Sequence, residues 1–169
     1  ASNLSFAWTI PNNIGTQLRV RVMDAVDNTV TDESNANFTI KPSVTLTAPN
    51  GGETWLVGEA RNITWTKTGT VANVLLEYST NAFANETETV EIVSSTPGAN
   101  LSYSWTIPDA IDSGIKVRIT NLADNTVTDS SDAAFTVKGS LTLGTPNGGE
   151  VWVVGESRNV LWTMTGSIQ

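Results

Sequence analysis

The same stretch of sequence occurs twice in this chain. Residues 49–66 read PNGGETWLVGEARNITWT, and residues 146–163 read PNGGEVWVVGESRNVLWT, 97 positions later. The same shift aligns residues 1–72 with residues 98–169 without a gap, and 39 of the 72 aligned pairs are identical. A fixed period without insertions indicates repeated structural units. We therefore expect a chain built from tandem copies of one unit.

The repeat divides the chain into three parts. Residues 42–138 form one complete unit. Residues 1–41 match 98–138 and are the C-terminal part of a unit, here called the leading segment. Residues 139–169 match 42–72 and are the N-terminal part of a unit, here called the trailing segment. The junctions leave almost no linker, and a flexible linker would be longer and rich in Gly and Ser. We therefore expect stiffly stacked units.

The complete unit has the alternation of apolar and polar residues that is typical of β-strands. One clear run is Leu101, Tyr103, Trp105 and Ile107, separated by Ser and Thr. About seven or eight such short strands, divided by Gly, Pro, Asn and Asp, predict an antiparallel β-sandwich of immunoglobulin or fibronectin-III type. Residues 94–98 are expected to form a loop. Strand parity predicts that three tryptophans anchor the core: Trp55, Trp65 and Trp105.

Composition excludes several functional classes. The net charge is -8, and only 15% of residues are charged, so clustered cations for nucleic acid or anionic lipid are lacking. There is no Cys and no His, which removes disulfides, thiolate metal sites and the usual general base. No apolar run is long enough to cross a bilayer. We expect no enzyme, no cofactor and no membrane span.

Two glutamates of the repeated stretch are candidate catalytic carboxylates. Glu53 and Glu59 recur as Glu150 and Glu156. A glycosidase needs a pair of carboxylates at a set separation. An active site copied in every unit is an uncommon arrangement, whereas a structural turn is copied by default. We therefore expect these side chains to bind turn amides or to pair with Arg61.

Acidic residues near the predicted turns are candidate calcium ligands. Calcium takes several oxygen ligands, although the spacing here does not match an EF-hand loop. Asp and Asn are also ordinary turn residues, which is the alternative interpretation. The candidates are Asp24, Asp27 and Asp32 in the leading segment, and Asp124, Asp129 and Asp132 in the complete unit.

Five Asn-x-Ser/Thr sequons are candidate N-glycosylation sites. A chain this rich in Asn, Ser and Thr contains about that number by chance, so their position is more informative than their count. Strand parity directs four of them outward and places one in a loop. The five asparagines are Asn3, Asn37, Asn62, Asn85 and Asn100.

The repeated motif resembles a known family. Residues 49–53, followed by Trp55, Gly58 and the Ile63-Thr64-Trp65 run, are similar to the start of the Knh-like family. These are immunoglobulin-like domains of yeast cell-wall β-glucan synthesis proteins and Ser/Thr-rich GPI-anchored surface proteins, and they also form tandem repeats in bacterial and archaeal secreted proteins. The second half resembles the family in residues 105–108, 116–119, 131–132 and 135–137. The resemblance implies an extracellular or cell-wall setting and no catalysis.

These patterns predict a non-enzymatic extracellular structural protein, a segment of a filament or surface stalk. The partial units would be completed head-to-tail by neighbouring chains, which makes a second copy of the chain the expected partner. A window cut from a longer tandem array explains the partial units equally well. The alternative function is a carbohydrate-binding or adhesion module that contacts cell-wall polysaccharide. That function needs an exposed aromatic platform, which strand parity does not provide.

Overall fold

The computed structural model describes residues 4–168, and these residues are almost entirely β-structure. The predicted all-β class is confirmed. The only helices in this part of the chain are two 3-10 turns, Glu86–Glu88 and Gly98–Asn100. Both lie in the complete unit, on either side of a long strand.

The strands follow one another with short connections, as the alternating pattern predicts. The leading segment contains β1 (Gly15–Leu18), β2 (Arg21–Met23), β3 (Thr31–Glu33) and β4 (Phe38–Ile40). The trailing segment contains β14 (Ser140–Thr145) and β15 (Leu161–Thr165). The complete unit contains β5 (Ser43–Ala48), β6 (Thr54–Leu56), β7 (Ala60–Thr68), β8 (Asn73–Ser79), β9 (Thr89–Pro97), β10 (Ser102–Thr106), β11 (Asp112–Asn121), β12 (Thr128–Ser130) and β13 (Phe135–Lys138).

The complete unit is sandwich-like, with two sheets around one hydrophobic core. The smaller sheet has the order β10-β7-β5. The larger has the order β6-β13-β11-β8-β9, with β12 also paired to β11. All of these pairings are antiparallel except that of β6 with β13, which is parallel. Each sheet buries one face: Leu46 and Ile63 from the smaller sheet, Leu76, Ile119 and Phe135 from the larger.

Three tryptophans lie in this core. Trp65 is 2% exposed, and its indole Nε1 donates a hydrogen bond to the carbonyl oxygen of Gly98 at 3.0 Å. Trp55 packs edge-on against Trp105, with ring centroids 6.2 Å apart, and lies 4.9 Å from the ring of Phe135. The bond to Gly98 matters because a buried indole N–H without an acceptor would be costly.

The two partial segments form small sheets with open faces. In the leading segment β1 pairs with β4 and β2 pairs with β3, and in the trailing segment β14 pairs with β15. Residues 4–10 run without a strand partner among the described residues. Their large apolar side chains and those of β14 and β15 are exposed, whereas Trp105, Ile107 and Trp65 at equivalent positions of the complete unit are buried.

Two local predictions are wrong. Residues 94–97, predicted to be a loop, extend β9 to Pro97. Leu101, predicted to point inward, has φ 56° and is 43% exposed, so β10 begins one residue later. The reason is the 3-10 turn Gly98–Asn100, which carries the chain from the larger sheet to the smaller one and ends with Leu101 in the left-handed region.

Candidate inter-unit interface

Two equivalent pairs of side chains join neighbouring repeat units. Asn12 of the leading segment donates from Nδ2 to Thr70 Oγ1 at 2.8 Å, and the Thr70 amide donates to Asn12 Oδ1 at 3.1 Å. At the other end of the complete unit, the Ser167 amide donates to Asp109 Oδ1 at 3.0 Å and its hydroxyl donates to Asp109 Oδ2. We call these two contacts the polar clamps.

The polar clamps occupy the same two positions of the repeat. Asn12 and Asp109 are 97 residues apart, and so are Thr70 and Ser167. The residues differ between the two copies but keep their capacity for hydrogen bonding: the amide of Asn12 corresponds to the carboxylate of Asp109, and the hydroxyl of Thr70 to that of Ser167. The two joints are therefore built by one interaction made twice.

A glycine beside each clamp allows the units to approach closely. A Cβ at Gly69 would lie 3.1 Å from Asn12 Oδ1, and a Cβ at Gly166 would lie 3.2 Å from Asp109 Oδ1. Both glycines have positive φ, 77° and 84°, which an L side chain rarely adopts. The turn after β7 and its copy after β15 thus present bare backbone to the neighbouring unit.

Apolar side chains surround the second clamp. A Cβ at Gly166 would lie 3.0 Å from a methyl carbon of Val57 and 3.2 Å from Ile111 Cδ1. A Cβ at Gly139 would lie only 2.5 Å from a side-chain carbon of Ile168. Ile168 therefore packs directly on the backbone of Gly139, where the trailing segment begins.

The first joint carries an additional ion pair. Lys41, the last residue of the leading segment, places Nζ 3.1 Å from Asp124 Oδ2 and donates to Thr126 Oγ1. The Thr126 hydroxyl and amide also donate to the Asp124 carboxylate. The Thr126 hydroxyl, followed by Lys41, holds the pKa of Asp124 below its ordinary value. The pair is half exposed, so solvent and salt screen it and it contributes little to stability.

The second clamp carries a charge that the first lacks. The Ser167 hydroxyl and then its amide hydrogen-bond the Asp109 carboxylate and hold its pKa below the ordinary value. Hydrogen bonds to an ionised acceptor favour the charged form. The second joint therefore contains a carboxylate at neutral pH, whereas Asn12 at the first joint does not titrate.

The six candidate calcium ligands do not converge on one site among the described residues. Asp24 accepts from the amides of Val26 and Asp27, while Asp27 accepts from the amide and hydroxyl of Thr29. Asp129 Oδ2 accepts from the Leu46 amide at 2.8 Å. Asp32 lies in β3, Asp132 accepts from Asn50 Nδ2, and Asp124 pairs with Lys41. No group of three acidic side chains within residues 4–168 is arranged to hold a metal ion.

The repeated glutamates bind turn amides. Glu53 accepts from the amides of Asn50 and Gly51, each at 2.8 Å. Glu150 makes the same two bonds in the trailing segment, also at 2.8 Å. Glu59 accepts from the Leu56 amide and pairs with Arg61 at 2.9 Å, and Glu156 repeats this arrangement. These carboxylates therefore close turns.

Four of the sequon asparagines are exposed: Asn37, Asn62, Asn85 and Asn100. Asn37 accepts from Arg19 Nε, and Asn85 caps the 3-10 turn Glu86–Glu88 through its Oδ1. Asn62 lies on β7 opposite Ser104. Asn3 lies outside the described residues.

Sequence reasoning missed the residues of the polar clamps. Neither Asn12 nor Asp109 belongs to a sequence motif that predicts a contact between units. The sequence contained one signal for them: both partners of each clamp recur 97 residues apart and keep their hydrogen-bonding capacity. Only the structure shows that positions 58 residues apart meet across a junction.

Comparison with known proteins found no family model that matches this chain and no similar curated protein. The resemblance to Knh-like domains therefore stays a prediction. Within residues 4–168 there is no helix with the length and apolarity needed to cross a bilayer.

Proposed function

We propose that this chain is a non-enzymatic extracellular structural protein, a stiff segment of tandem immunoglobulin-like sandwiches within a filament or surface stalk. The observation that carries this proposal is the polar clamp, which recurs at both junctions with the period of the sequence. An interaction that exists only between units and is copied with them serves to fix how the units are arranged.

The stiffness of the junctions follows from the interactions that each joint contains. Each joint combines two directional hydrogen bonds with a close backbone approach at Gly69 or Gly166. Rotation of one unit against the next would break both bonds of a clamp together. In repeat proteins, identical contacts between neighbours propagate one geometry along the array. Successive units are therefore held in a regular, extended arrangement.

The open faces of the partial segments support assembly through their completion. Trp8 is 45% exposed and Trp162 is 61% exposed, although Trp105 and Trp65 at the equivalent positions are buried. Exposed apolar surface of this kind marks a contact site. We propose that a neighbouring copy covers it head-to-tail. Because the leading and trailing segments are different parts of the unit, such contacts are heterologous, and they continue in an open chain where the rotation between copies does not close a ring.

The same tryptophans bear on the alternative, a carbohydrate-binding or adhesion module. Trp8, Trp152 and Trp162 are exposed aromatic rings, which is what a sugar platform requires. Their equivalents Trp105, Trp55 and Trp65 all lie in the core of the complete unit. The absence of the strands that bury the equivalent tryptophans explains this exposure, and no sugar ligand is needed to explain it. We therefore favour the structural function.

An extracellular setting is supported by the resemblance to cell-wall and surface domains and by the positions of the sequons. Four of the five sequon asparagines are exposed, on faces that a glycan could occupy without disturbing the core. We propose these positions as glycan sites in a host that has the transferase. Mass spectrometry of the secreted chain before and after enzymatic deglycosylation would test occupancy.

Distance measurements between spin labels test the stiffness. The chain has no cysteine, so Asn35→Cys and Ser94→Cys place single labels on exposed sites of adjacent units. We expect one narrow distance distribution, which broadens when Asn12→Ala removes the first clamp. A matched variant, Asp109→Ala, changes only the second joint and should leave this distance unchanged. A broad distribution in the unmodified chain would contradict a stiff junction.

Electron microscopy at near-physiological salt tests the assembly. Filaments whose subunit repeat accommodates about two sandwich units would support head-to-tail completion. Monodisperse particles at every concentration would contradict assembly, while leaving the stiff joint to be judged by the label distances.

A further inference from the structure

We infer that Asn85 is the sequon asparagine that accepts an N-linked glycan on the folded chain, whereas Asn62 accepts one only before its strand has formed. This inference rests on the glycan sites of the proposed function and ranks them by the geometry of the fold. The donor is an oligosaccharide carried on a lipid pyrophosphate, and the acceptor is an Asn-x-Ser/Thr sequon. Both sequons lie within the complete unit.

The sequon of residues 85–87 is the most accessible of the four whose asparagine is described. Its three residues are all exposed, and they lie in the connection between β8 and β9. Each of the other sequons contains a residue that packs against the protein. These residues are Phe38 and Ser102, which are half-buried, and Ile63, which is 0% exposed. A transferase has to bind the asparagine and the hydroxyl residue at once, so exposure of the whole sequon favours Asn85.

The two groups that define a sequon already face each other at Asn85. The Asn85 Oδ1 accepts a hydrogen bond from the Thr87 amide at 3.1 Å and another from the Thr87 hydroxyl. The Asn81 Nδ2 also donates to this oxygen, at 3.0 Å. All three bonds use the oxygen, and Asn85 Nδ2 donates no hydrogen bond within residues 4–168. The nitrogen that would receive the sugar is therefore free, while the side chain is held in place.

The loop that presents this sequon has a defined shape. The Ser79 hydroxyl accepts from the Phe83 amide at 3.2 Å. Arg118 donates to both carboxylate oxygens of Glu86, at 3.1 and 3.0 Å, and lies 4.4 Å from the centre of the Phe83 ring. Ala82 and Phe83 have φ 56° and 60°, a conformation that is uncommon outside glycine and persists where the surroundings enforce it. The folded chain therefore presents the sequon in one turn, outside both sheets.

Asn62 is exposed, but it lies in a strand that is locked on both sides. Its strand, β7, is the middle strand of the smaller sheet, between β5 and β10. Ile63 is in the core, and Thr64 Oγ1 shares a hydrogen bond with Thr47 Oγ1 at 2.8 Å. Along an extended strand, residues two positions apart are separated by about 6.5 Å, so the hydroxyl stays away from the carboxamide. To enter an enzyme site, β7 would have to leave the sheet, which requires unfolding of the unit.

The transfer is a substitution at the sugar. The bond between the sugar C1 and the pyrophosphate oxygen breaks, and a bond between C1 and Asn85 Nδ2 forms. The lipid pyrophosphate leaves with the electron pair of the broken bond, and Nδ2 gives one of its two protons to a base of the transferase. The product keeps Oδ1 as an acceptor, so the glycosylated side chain retains its bonds from Asn81 and Thr87.

A glycan on Asn85 leaves both junctions free. The polar clamps are formed by Asn12 with Thr70 and by Asp109 with Ser167. Within residues 4–168, the side chains of the loop 81–88 make hydrogen bonds only inside the complete unit. Glycosylation of the folded chain is therefore compatible with the stiff arrangement of units that we propose.

Glycosylation in vitro tests the ranking. The full chain is incubated with a purified single-subunit oligosaccharyltransferase and a lipid-linked oligosaccharide, and occupancy of each site over time is measured by mass spectrometry. Synthetic peptides of residues 82–90 and 59–67 give the intrinsic rate of each sequon. Relative to its own peptide, we expect Asn62 in the folded chain to react at least about a hundredfold more slowly than Asn85, because a central strand rarely opens.

Three variants serve as controls. Thr87→Ala removes the sequon and should abolish transfer to Asn85, whereas Thr87→Ser keeps the hydroxyl and should retain it. Trp65→Ala weakens the core beside β7 and should raise the rate at Asn62 towards that of its peptide. Circular dichroism verifies that the unmodified chain and the two Thr87 variants stay folded.

The outcomes separate this inference from the function on which it rests. Rapid transfer to Asn85 of the folded chain, with little transfer to Asn62, supports the ranking. Equal relative rates at the two sites, or no transfer to Asn85 while its peptide is modified, would overturn the ranking and leave the stiff junctions to be judged by the label distances. A secreted chain without glycans, together with the expected ranking in vitro, would contradict the proposed glycan sites and leave the ranking standing.

Discussion

The Asp109 carboxylate accepts two hydrogen bonds from Ser167, one from its amide and one from its hydroxyl. Asn12 and Thr70 form the matching contact at the other junction. The two clamps therefore share their geometry and differ in one ionisable group. This difference provides an internal comparison between a clamp that titrates and one that does not.

Acid should loosen the second clamp and spare the first. The pKa of Asp109 is lowered in the closed joint, so its contribution is complete above the ordinary aspartate pKa of about 3.9. That contribution is lost as the pH falls through the lowered pKa. We expect the Ser167 amide to lose protection from hydrogen exchange in this acid range, after correction for intrinsic rates, while the Thr70 amide keeps it.

The control for this titration is Asp109→Asn, which copies the first clamp into the second. Protection of the Ser167 amide should then no longer depend on pH in this range. Equal loss of protection at Thr70 and Ser167 in the unmodified chain would show that acid acts on the fold as a whole and that the clamp does not control the joint.

Trp65 should carry much more stability than its copy, Trp162. Replacing a buried tryptophan with alanine costs about 3–5 kcal/mol, and Trp65→Ala also leaves the Gly98 carbonyl without its donor. At high dilution, where copies do not associate, Trp162→Ala removes an exposed side chain and should cost less than about 0.5 kcal/mol. Urea denaturation followed by circular dichroism compares the two. Similar losses for both variants would argue against the core described above.

Alanine at Gly51 should destabilise the fold more than alanine at Gly148. Both glycines have φ well inside the positive region, 126° and 117°, so the backbone penalty is shared. A Cβ at Gly51 would lie 2.5 Å from Ala133 Cβ, whereas a Cβ at Gly148 meets nothing within 4 Å. We expect Gly51→Ala to lower the thermal midpoint of unfolding clearly. A larger effect of Gly148→Ala would contradict this packing.

Arg118 should hold the loop of residues 81–88 in place. Its guanidinium pairs with Glu77 and Glu86, at 2.9 and 3.0 Å, and lies 4.4 Å from the centre of the Phe83 ring. Arg118→Ala should make this loop the first site of cleavage in limited proteolysis. Arg21, the equivalent residue of the leading segment, has no such loop beside it, so Arg21→Ala should leave the cleavage pattern of the complete unit unchanged.

The strands and turns could be predicted from the sequence because they depend on residues that are neighbours along the chain. The alternation around Trp65 and Ile63 predicted a buried face, and both side chains are buried. The position of Glu53 beside two glycines predicted a turn carboxylate, and its two amide contacts are present. Such features depend on residues only a few positions apart, and that spacing can be read from the sequence.

Features set by distant parts of the chain were not predictable in this way. The clamp of Asn12 with Thr70 depends on how one unit rests on the next, and no local pattern encodes that placement. Leu101 fits the alternating pattern, yet it leaves the strand because the chain must cross between sheets at that point. Tertiary geometry decides both cases.

The parallel pairing of β6 with β13 decides how these two strands would respond to a pull along the chain. Tension that reaches β6 from its N-terminal side and β13 from its C-terminal side draws the two strands past each other. The backbone bonds that set Thr54 against Thr136, Trp55 against Val137 and Leu56 against Lys138 then carry the load together. Antiparallel strands pulled from adjacent ends would open one bond at a time. A pull applied to these two strands in this way would therefore load their backbone bonds in shear.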